Sequence, residues 1–276
     1  MKILKSKWLK IVLAVLVIAA AAAYKPLYDG YTEYRKTAVP VLEYHSVGGS
    51  SDWPAEIIID KDAFEQQLAY LQKNGYRMIS MEQMIAAFKN NEDLGKAVVL
   101  TFDDGYMDNY TNVFPLLQKY GANASFFIVQ SKIGKPNYMG HDEIMDLIRA
   151  GNDLGSHTIN HHILTDIDPK YFAWELSSSK FFLKKEFDMY YVHLLSYPNG
   201  QYDDEVIAAS QKYGYNYAVT GKNGAVDKKW VLNHPMEIGR VIVKGDMDEK
   251  AFADKLERSY LLGYLKSVVF GSLFFY

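Results

Sequence analysis

The chain has 276 residues, enough for one large domain or two small ones. Its formal net charge of −3 carries no basic excess, which argues against a nucleic-acid partner. It holds no cysteine, which excludes disulfides, thiol nucleophiles, thiolate metal sites and lipidated-cysteine anchors.

The N-terminus comes first. Lys2, Lys5, Lys7 and Lys10 precede an apolar run from Ile11 to Ala23. Residues 1–24 therefore read as a signal peptide, with Ala21-Ala22-Ala23 as a small-residue cleavage site, or as an uncleaved membrane anchor. Counted from Trp8, with Lys10 snorkelling, the span approaches the roughly 20 residues a bilayer needs. Either way the lysines stay inside and the rest crosses. The expected location is extracytoplasmic, secreted or anchored at a bacterial cell surface. Residues 25–38, polar and aromatic with Pro26 and Gly30, read as a linker.

Strands and helices then alternate. Val39–Tyr44 is a short apolar strand, and Gly48–Trp53 a loop. Asp60–Asn74 has helical spacing at Phe64, Leu68 and Leu71, with Asp60 as N-cap. Strand Arg77–Ser80 leads to helix Met81–Phe88, strand Ala97–Phe102 to helix Asn109–Tyr120, and strand Ala124–Val129 to helix Asp142–Ala150. Strand Asp153–Ser156 leads into the histidine motif and then a long helix, Pro169–Phe187. Strand Val192–Tyr197 precedes helix Asp203–Tyr213. Strands Tyr217–Thr220 and Ile238–Val243 and helix Glu249–Arg258 finish the unit. Such alternation indicates a parallel sheet, and about seven units in one domain favour a barrel over an open sheet.

Barrels of this kind carry their chemistry at the C-terminal ends of the strands. His45 follows the first strand, Asp103 and Asp104 the third, His157 the fifth, and Pro198 and Asn199 the sixth. Two imidazoles and a carboxylate are a standard ligand set for a catalytic divalent metal, and the second carboxylate is available as a base. His157 and His161, four apart, would share a face if their segment turns helically. This is the outline of a metal hydrolase.

These residues resemble the polysaccharide deacetylases, the NodB-homology domain of carbohydrate esterase family 4. The matching positions are Phe102-Asp103-Asp104-Gly105, Ser156-His157-Thr158 with His161, and Tyr197-Pro198-Asn199-Gly200. The resemblance spans residues 39–258. It implies a distorted (β/α)7 barrel, a metal triad of Asp104, His157 and His161, and Asp103 as the base. Pro40-Val41-Leu42-Glu43-Tyr44-His45 is similar to the subgroup that deacetylates poly-N-acetylglucosamine, in which the catalytic histidine motif lies at the N-terminal end. By that likeness His45 is the general acid.

There are departures from the family pattern. The third motif usually reads Arg-x-Pro-Tyr; here Ser196-Tyr197-Pro198-Asn199 has no arginine, and Asn199 replaces the tyrosine. Arg240 is the candidate to supply the charge that orients the base. The fourth motif, Asp-x-x-Asp-Trp, is not recognisable. The C-terminal Leu-x-x-His is missing, consistent with the moved histidine.

The implied reaction is metal-dependent N-deacetylation of an N-acetylglucosamine polysaccharide, the substrate being poly-β-1,6-N-acetylglucosamine. Zn²⁺ is the expected ion; Co²⁺ or Ni²⁺ would suit the same oxygen and nitrogen ligands. Tyr197, Pro198 and Asn199 would face the substrate, with a backbone N–H near Asn199 in the oxyanion hole. Trp53 and Tyr106 are candidates for sugar contact or for packing. A peptidoglycan deacetylase is one rival reading, and a non-catalytic glycan-binding protein on the same fold is another. A monomer is expected. Residues 259–276, rich in apolar side chains with Lys266 the only charge, would pack on the barrel, lie on the membrane or form an aberrant chain end, and the sequence gives no basis for choosing.

Overall fold

The computed structural model describes residues 12, 24–49, 53–189, 192–245 and 247–273. The N-terminal run read as signal or anchor lies outside them apart from Val12. Among the described residues no helix is long and apolar enough to cross a membrane. The chain divides into two units, Met1–Lys36 and Thr37–Tyr276. The segment expected as a linker is helical over residues 24–37 (α1). It carries ion pairs at helical spacing, Lys25–Asp29 at 2.8 Å and Lys36–Glu33 at 2.6 Å.

The second unit is built on one parallel sheet that nearly closes into a barrel. Its strands are β1 (Val41–Tyr44), β4 (Arg77–Ile79), β5 (Ala97–Phe102), β6 (Ser125–Ile128), β7 (Asp153–Ser156), β8 (Leu194–Ser196), β9 (Tyr217–Thr220), β10 (Ile238–Gly239) and β11 (Val241–Ile242). The order around the sheet is β10-β9-β8-β7-β6-β5-β1-β11, with β4 paired to the lower part of β5. A separate short pair, β2 (Ser46–Val47) with β3 (Ile58–Ile59), lies to either side of the expected loop Gly48–Trp53 in the sequence.

The expected strand Ile238–Val243 is split at Arg240. Its first half pairs with β9 and its second half with β1, so one segment spans the seam between the last strand and the first. At the break, the Arg240 N–H donates to the Lys222 carbonyl at 3.0 Å instead of to a strand neighbour.

Side chains on a strand alternate faces. Val41, Val99, Phe127, Leu194, Val219 and Ile238 form an apolar layer with Met81, Met84 and Phe88 of helix α3 (Met81–Asn90). Two residues further along their strands come Glu43, Thr101, Ser196 and Arg240, all buried. The core thus changes from apolar to polar toward the C-terminal ends of the strands.

Helix α2 (Lys61–Lys73) starts at Asp60, whose carboxylate accepts from the Asp62 and Ala63 N–H groups. α3 opens with a capping box between Ser80 and Gln83. The segment Asn109–Val113 winds as a π-helix before α4 (Phe114–Tyr120). α5 is His141–Arg149. The long helix expected over Pro169–Phe187 is three pieces: a 3₁₀ turn at Pro169–Tyr171, a π-helix at Ala173–Ser178, and α6 at Ser179–Glu186. α7 (Asp204–Lys212) and a further helix, α8 (Lys228–Asn233), follow. The last helix, α9, runs Glu249–Leu273, well past Arg258 and into the apolar segment left without a role.

Candidate active site

The strand that delivers the acidic pair, β5, is buried along its whole length. It ends at Asp103. Asp104 and Gly105 then take left-handed backbone conformations, φ 73° and 81°. At Gly105 a side chain would meet Ile128 Cδ1 at 2.9 Å, so the turn demands glycine. The turn sends the two carboxylates in different directions, Asp103 into the barrel (2% exposed) and Asp104 toward the histidines.

Asp104 Oδ1 lies 3.6 Å from His157 Nε2 and 3.5 Å from His161 Nε2. A tetrahedral ion with bonds of 2.0–2.2 Å separates neighbouring ligand atoms by about 3.4 Å. The donor set and spacing therefore fit a divalent ion. The buried His157 Nδ1 is 2.8 Å from the Ser196 carbonyl. Donating there leaves the Nε2 lone pair free for the ion. Burial pushes the His157 pKa down against the pull of Asp103 and Asp104, which keeps the ring neutral.

The two histidines do not share a helix face. Residues 157–161 are non-helical, and Thr158 and His161 are left-handed, φ 65° and 62°. The Thr158 hydroxyl accepts the His161 N–H at 3.0 Å. Glu175, 1% exposed, closes the turn. Its Oε2 accepts the N–H groups of Ile159 and Asn160, at 3.1 and 2.9 Å. Its Oε1 takes the Asn160 side-chain amide and pairs with His162 Nδ1, both at 2.9 Å. Seven non-glycine residues have positive φ among the described residues; Asp104, Thr158, His161 and Asn199 are four of them, so backbone strain is concentrated here.

Asp103 is held by Arg240 through two parallel bonds, Nη1 to Oδ1 and Nη2 to Oδ2, both 2.8 Å. The Ser196 hydroxyl donates to Oδ2 at 2.9 Å. Arg240 also donates to the Thr101 hydroxyl at 3.3 Å and places Nε 3.0 Å from Glu43 Oε2, off the hydrogen-bond line. Burial pushes the Asp103 carboxyl up, but Arg240, with His157, outweighs it and holds the group well below the usual carboxylate range. The same burial raises Glu43, only partly offset by Arg240. Burial would lower Arg240, but Asp103 and Glu43 keep it charged.

His45, following β1, joins this group: one donor atom each of Glu43, His45 and Asp103 lie within 4.8 Å of one another. Its loop is pinned from the helix after the acidic pair. The Asn109 side-chain amide donates to the His45 carbonyl at 2.8 Å. Asp108 accepts from the Ser46 hydroxyl and the Val47 N–H, at 2.9 and 2.8 Å.

The third motif divides. The Tyr197 ring is fully buried, packed with Leu195, Val206, Tyr215 and Met236, so as a side chain it is core and does not face substrate. Pro198 is buried, whereas Asn199 is exposed with φ 54°. Beside Asp104, Tyr106 packs at a tilt against Trp53, with ring centroids 3.9 Å apart, and against Tyr138 at 5.2 Å. Burial and the Asp104 charge push the Tyr106 hydroxyl up, so it remains a neutral donor facing that carboxylate.

Sequence reasoning missed Glu43, Ser196, Thr101, Asp108, Asn109 and Glu175. Glu43 had a signal, a charge inside the apolar run Val41–Tyr44. Glu175 had none, because its partners are backbone groups of a turn whose shape the sequence does not announce.

A family model described as polysaccharide deacetylase matches residues 90–218. The chain is 30% identical over 220 residues to YxkH of Bacillus subtilis (strain 168), itself assigned to the polysaccharide deacetylases; the match covers 79% of this chain and 76% of that one. It is 24% identical over 221 residues to the poly-β-1,6-N-acetyl-D-glucosamine N-deacetylase of Staphylococcus epidermidis, covering 70% of this chain and 76% of the relative. Among solved structures, the Streptococcus pyogenes deacetylase PplD in complex with acetate matches at a TM-score of 0.72 and 26% identity, covering 80% of this chain and 98% of that one. The chain belongs to the polysaccharide deacetylase family and is a hydrolase of carbon–nitrogen bonds other than peptide bonds.

Proposed function

We propose that this enzyme removes acetyl groups from N-acetylglucosamine units of a poly-β-1,6-linked exopolysaccharide, with a divalent ion, Zn²⁺ before Co²⁺ or Ni²⁺, held by Asp104, His157 and His161. The observation that carries the reading is the bidentate grip of Arg240 on Asp103 beside that triad. It keeps one carboxylate ionised and aimed while its neighbour is left for the ion. The likeness to the poly-β-1,6-N-acetyl-D-glucosamine N-deacetylase of S. epidermidis, and the placement of His45 just after the first strand, support the choice of polymer.

When bound, the ion would polarise the acetamide carbonyl and acidify a water. Asp103 accepts the proton of the attacking water. It is a weak base, with its basicity lowered by Arg240, and works on a water that is already acidic. His45, protonated, gives its proton to the departing sugar nitrogen, because an amine leaves poorly without one. A backbone N–H at Asn199, exposed on its left-handed turn, supports the oxyanion. Acetate and a free amine result. The lysine-flanked apolar run at the N-terminus supports action outside the cytoplasm, secreted or membrane-anchored.

The test is acetate and free-amine release from poly-β-1,6-N-acetylglucosamine with Zn²⁺ present, run beside peptidoglycan. Release from the exopolysaccharide supports the reading. Release from peptidoglycan alone refutes the substrate and keeps the chemistry, and release from neither refutes both.

A further inference from the structure

Glu175 lies on a different element from every residue of the candidate site, yet it is bound to the turn that carries His161. It sits in the π-helix Ala173–Ser178, where an extra residue per turn re-aims side chains. A carboxylate buried to 1% exposure is costly unless donors surround it. Four surround Glu175, and all come from residues 159–162. Ser179, four residues on, adds a further tie. Its hydroxyl is 2.7 Å from that of Ser156, which accepts the Thr158 N–H at 3.1 Å. On the opposite side the N–H groups of Gln130 and Ser131 donate to the carbonyls of Thr158 and Ile159, at 3.1 and 3.0 Å.

The turn is therefore suspended between the end of β6 and the Glu175 helix. A β-branched threonine in the left-handed region is unfavourable on its own. Something must hold Thr158 and His161 there, and the Glu175 carboxylate supplies the largest number of bonds. Without it the turn would relax, and His161 Nε2 would leave its position 3.5 Å from Asp104.

We propose that Glu175 is a positioning residue that pre-forms the metal cage by fixing the His157–His162 turn, and so sets the affinity for the ion without touching it. The proposal rests on the metal-site reading above. Both carboxylate oxygens are occupied by donors, so glutamine, with one oxygen, would turn its NH₂ toward two of them.

The test is titration of the metal-stripped full chain with Zn²⁺ by calorimetry, for the wild type, Glu175→Gln and Asn160→Ala, with the Tm of each metal-free protein measured alongside. Glu175→Gln is expected to raise the Zn²⁺ Kd about 10–100-fold, the usual effect of losing a residue that orients a ligand. Asn160→Ala removes one exposed donor and is expected to raise it about threefold, the worth of a single hydrogen bond, with little change in the metal-free Tm. A Kd within twofold of wild type in a folded Glu175→Gln overturns the proposal, even if its Tm falls. Should Glu175→Gln not fold, an unchanged Kd in Asn160→Ala overturns it. A wild-type chain that takes up no Zn²⁺, Co²⁺ or Ni²⁺ refutes instead the metal site itself.

Discussion

Arg240 meets both oxygens of Asp103 at 2.8 Å, and the two residues are 137 positions apart. The family pattern places such an arginine in the third motif, where this chain has Ser196. The charge comes instead from the segment that closes the barrel. Ser196 remains in the group as a neutral donor to the same carboxylate.

Replacing that arginine separates geometry from charge. Arg240→Lys keeps a cation but loses the two-pronged contact, and kcat is expected to fall about a hundredfold or more. Arg240→Ala leaves Asp103 buried without a partner and is expected to cost roughly 3–5 kcal/mol of stability. Steady-state kinetics and urea midpoints check the two.

The low pKa of Asp103 has a pH signature. With Arg240 in place the Asp103 carboxyl is held well below the usual carboxylate range, so it gives no acid limb near neutrality. In Arg240→Lys the carboxyl should rise, since burial is then less opposed. The low-pH limb of kcat/KM is expected to move upward in this variant relative to the wild type.

Asp103→Asn keeps the shape and removes the base. Turnover is expected to drop by about 10³-fold or more, while Zn²⁺ content, measured on the purified protein, stays near that of the wild type. Unchanged turnover would refute the assignment of the base.

The ion should stabilise the fold by mass action. At about a hundred times its Kd, Zn²⁺ adds about 2.7 kcal/mol, which in a chain of this size raises Tm by roughly 5–10 °C. A chelator should reverse the rise, and His157→Ala should abolish it. Differential scanning calorimetry reads all three.

Away from the site, Asp153 gives a stability signature of the opposite sign to an ion-paired carboxylate. Burial pushes its pKa up to about 6, although it accepts from the Glu82 N–H and the Ser125 hydroxyl, both at 2.8 Å. Between about pH 4 and 6 the folded state holds the proton that the unfolded state has lost. Stability should therefore fall as pH rises through this window, by up to about 1.4 kcal/mol per pH unit, and stay lower above it. Asp153→Asn should remove this slope in urea midpoints at pH 4, 5, 6 and 7.

How much of this was legible depended on which force fixed each part. Strands Ala97–Phe102, Asp153–Ser156 and Tyr217–Thr220 have the bounds read from sequence, because the apolar or turn residues that end them are local signals. Asp60 as N-cap was legible for the same reason. The acidic pair and the histidines are brought together as expected, and Arg240 reaches Asp103. The form of the histidine segment was not legible, because a spacing of four fits either a helix face or the non-helical turn observed. Tyr197 was misplaced because a residue next to a turn can point inward. The break at Arg240 depends on pairing with two strands far away in sequence, which no local pattern encodes.

The break at Arg240 also sets when the enzyme can first work. Asp103 needs a guanidinium that arrives at the break between the last two strands, β10 and β11, and that lies against Glu43 from the first. A chain growing from its N-terminus carries the acid pair and both histidines long before residue 240 exists. Until the ring shuts, a buried Asp103 lacks its counter-charge and the catalytic pair is incomplete. Activity in a refolding experiment should therefore appear no earlier than closure of the barrel.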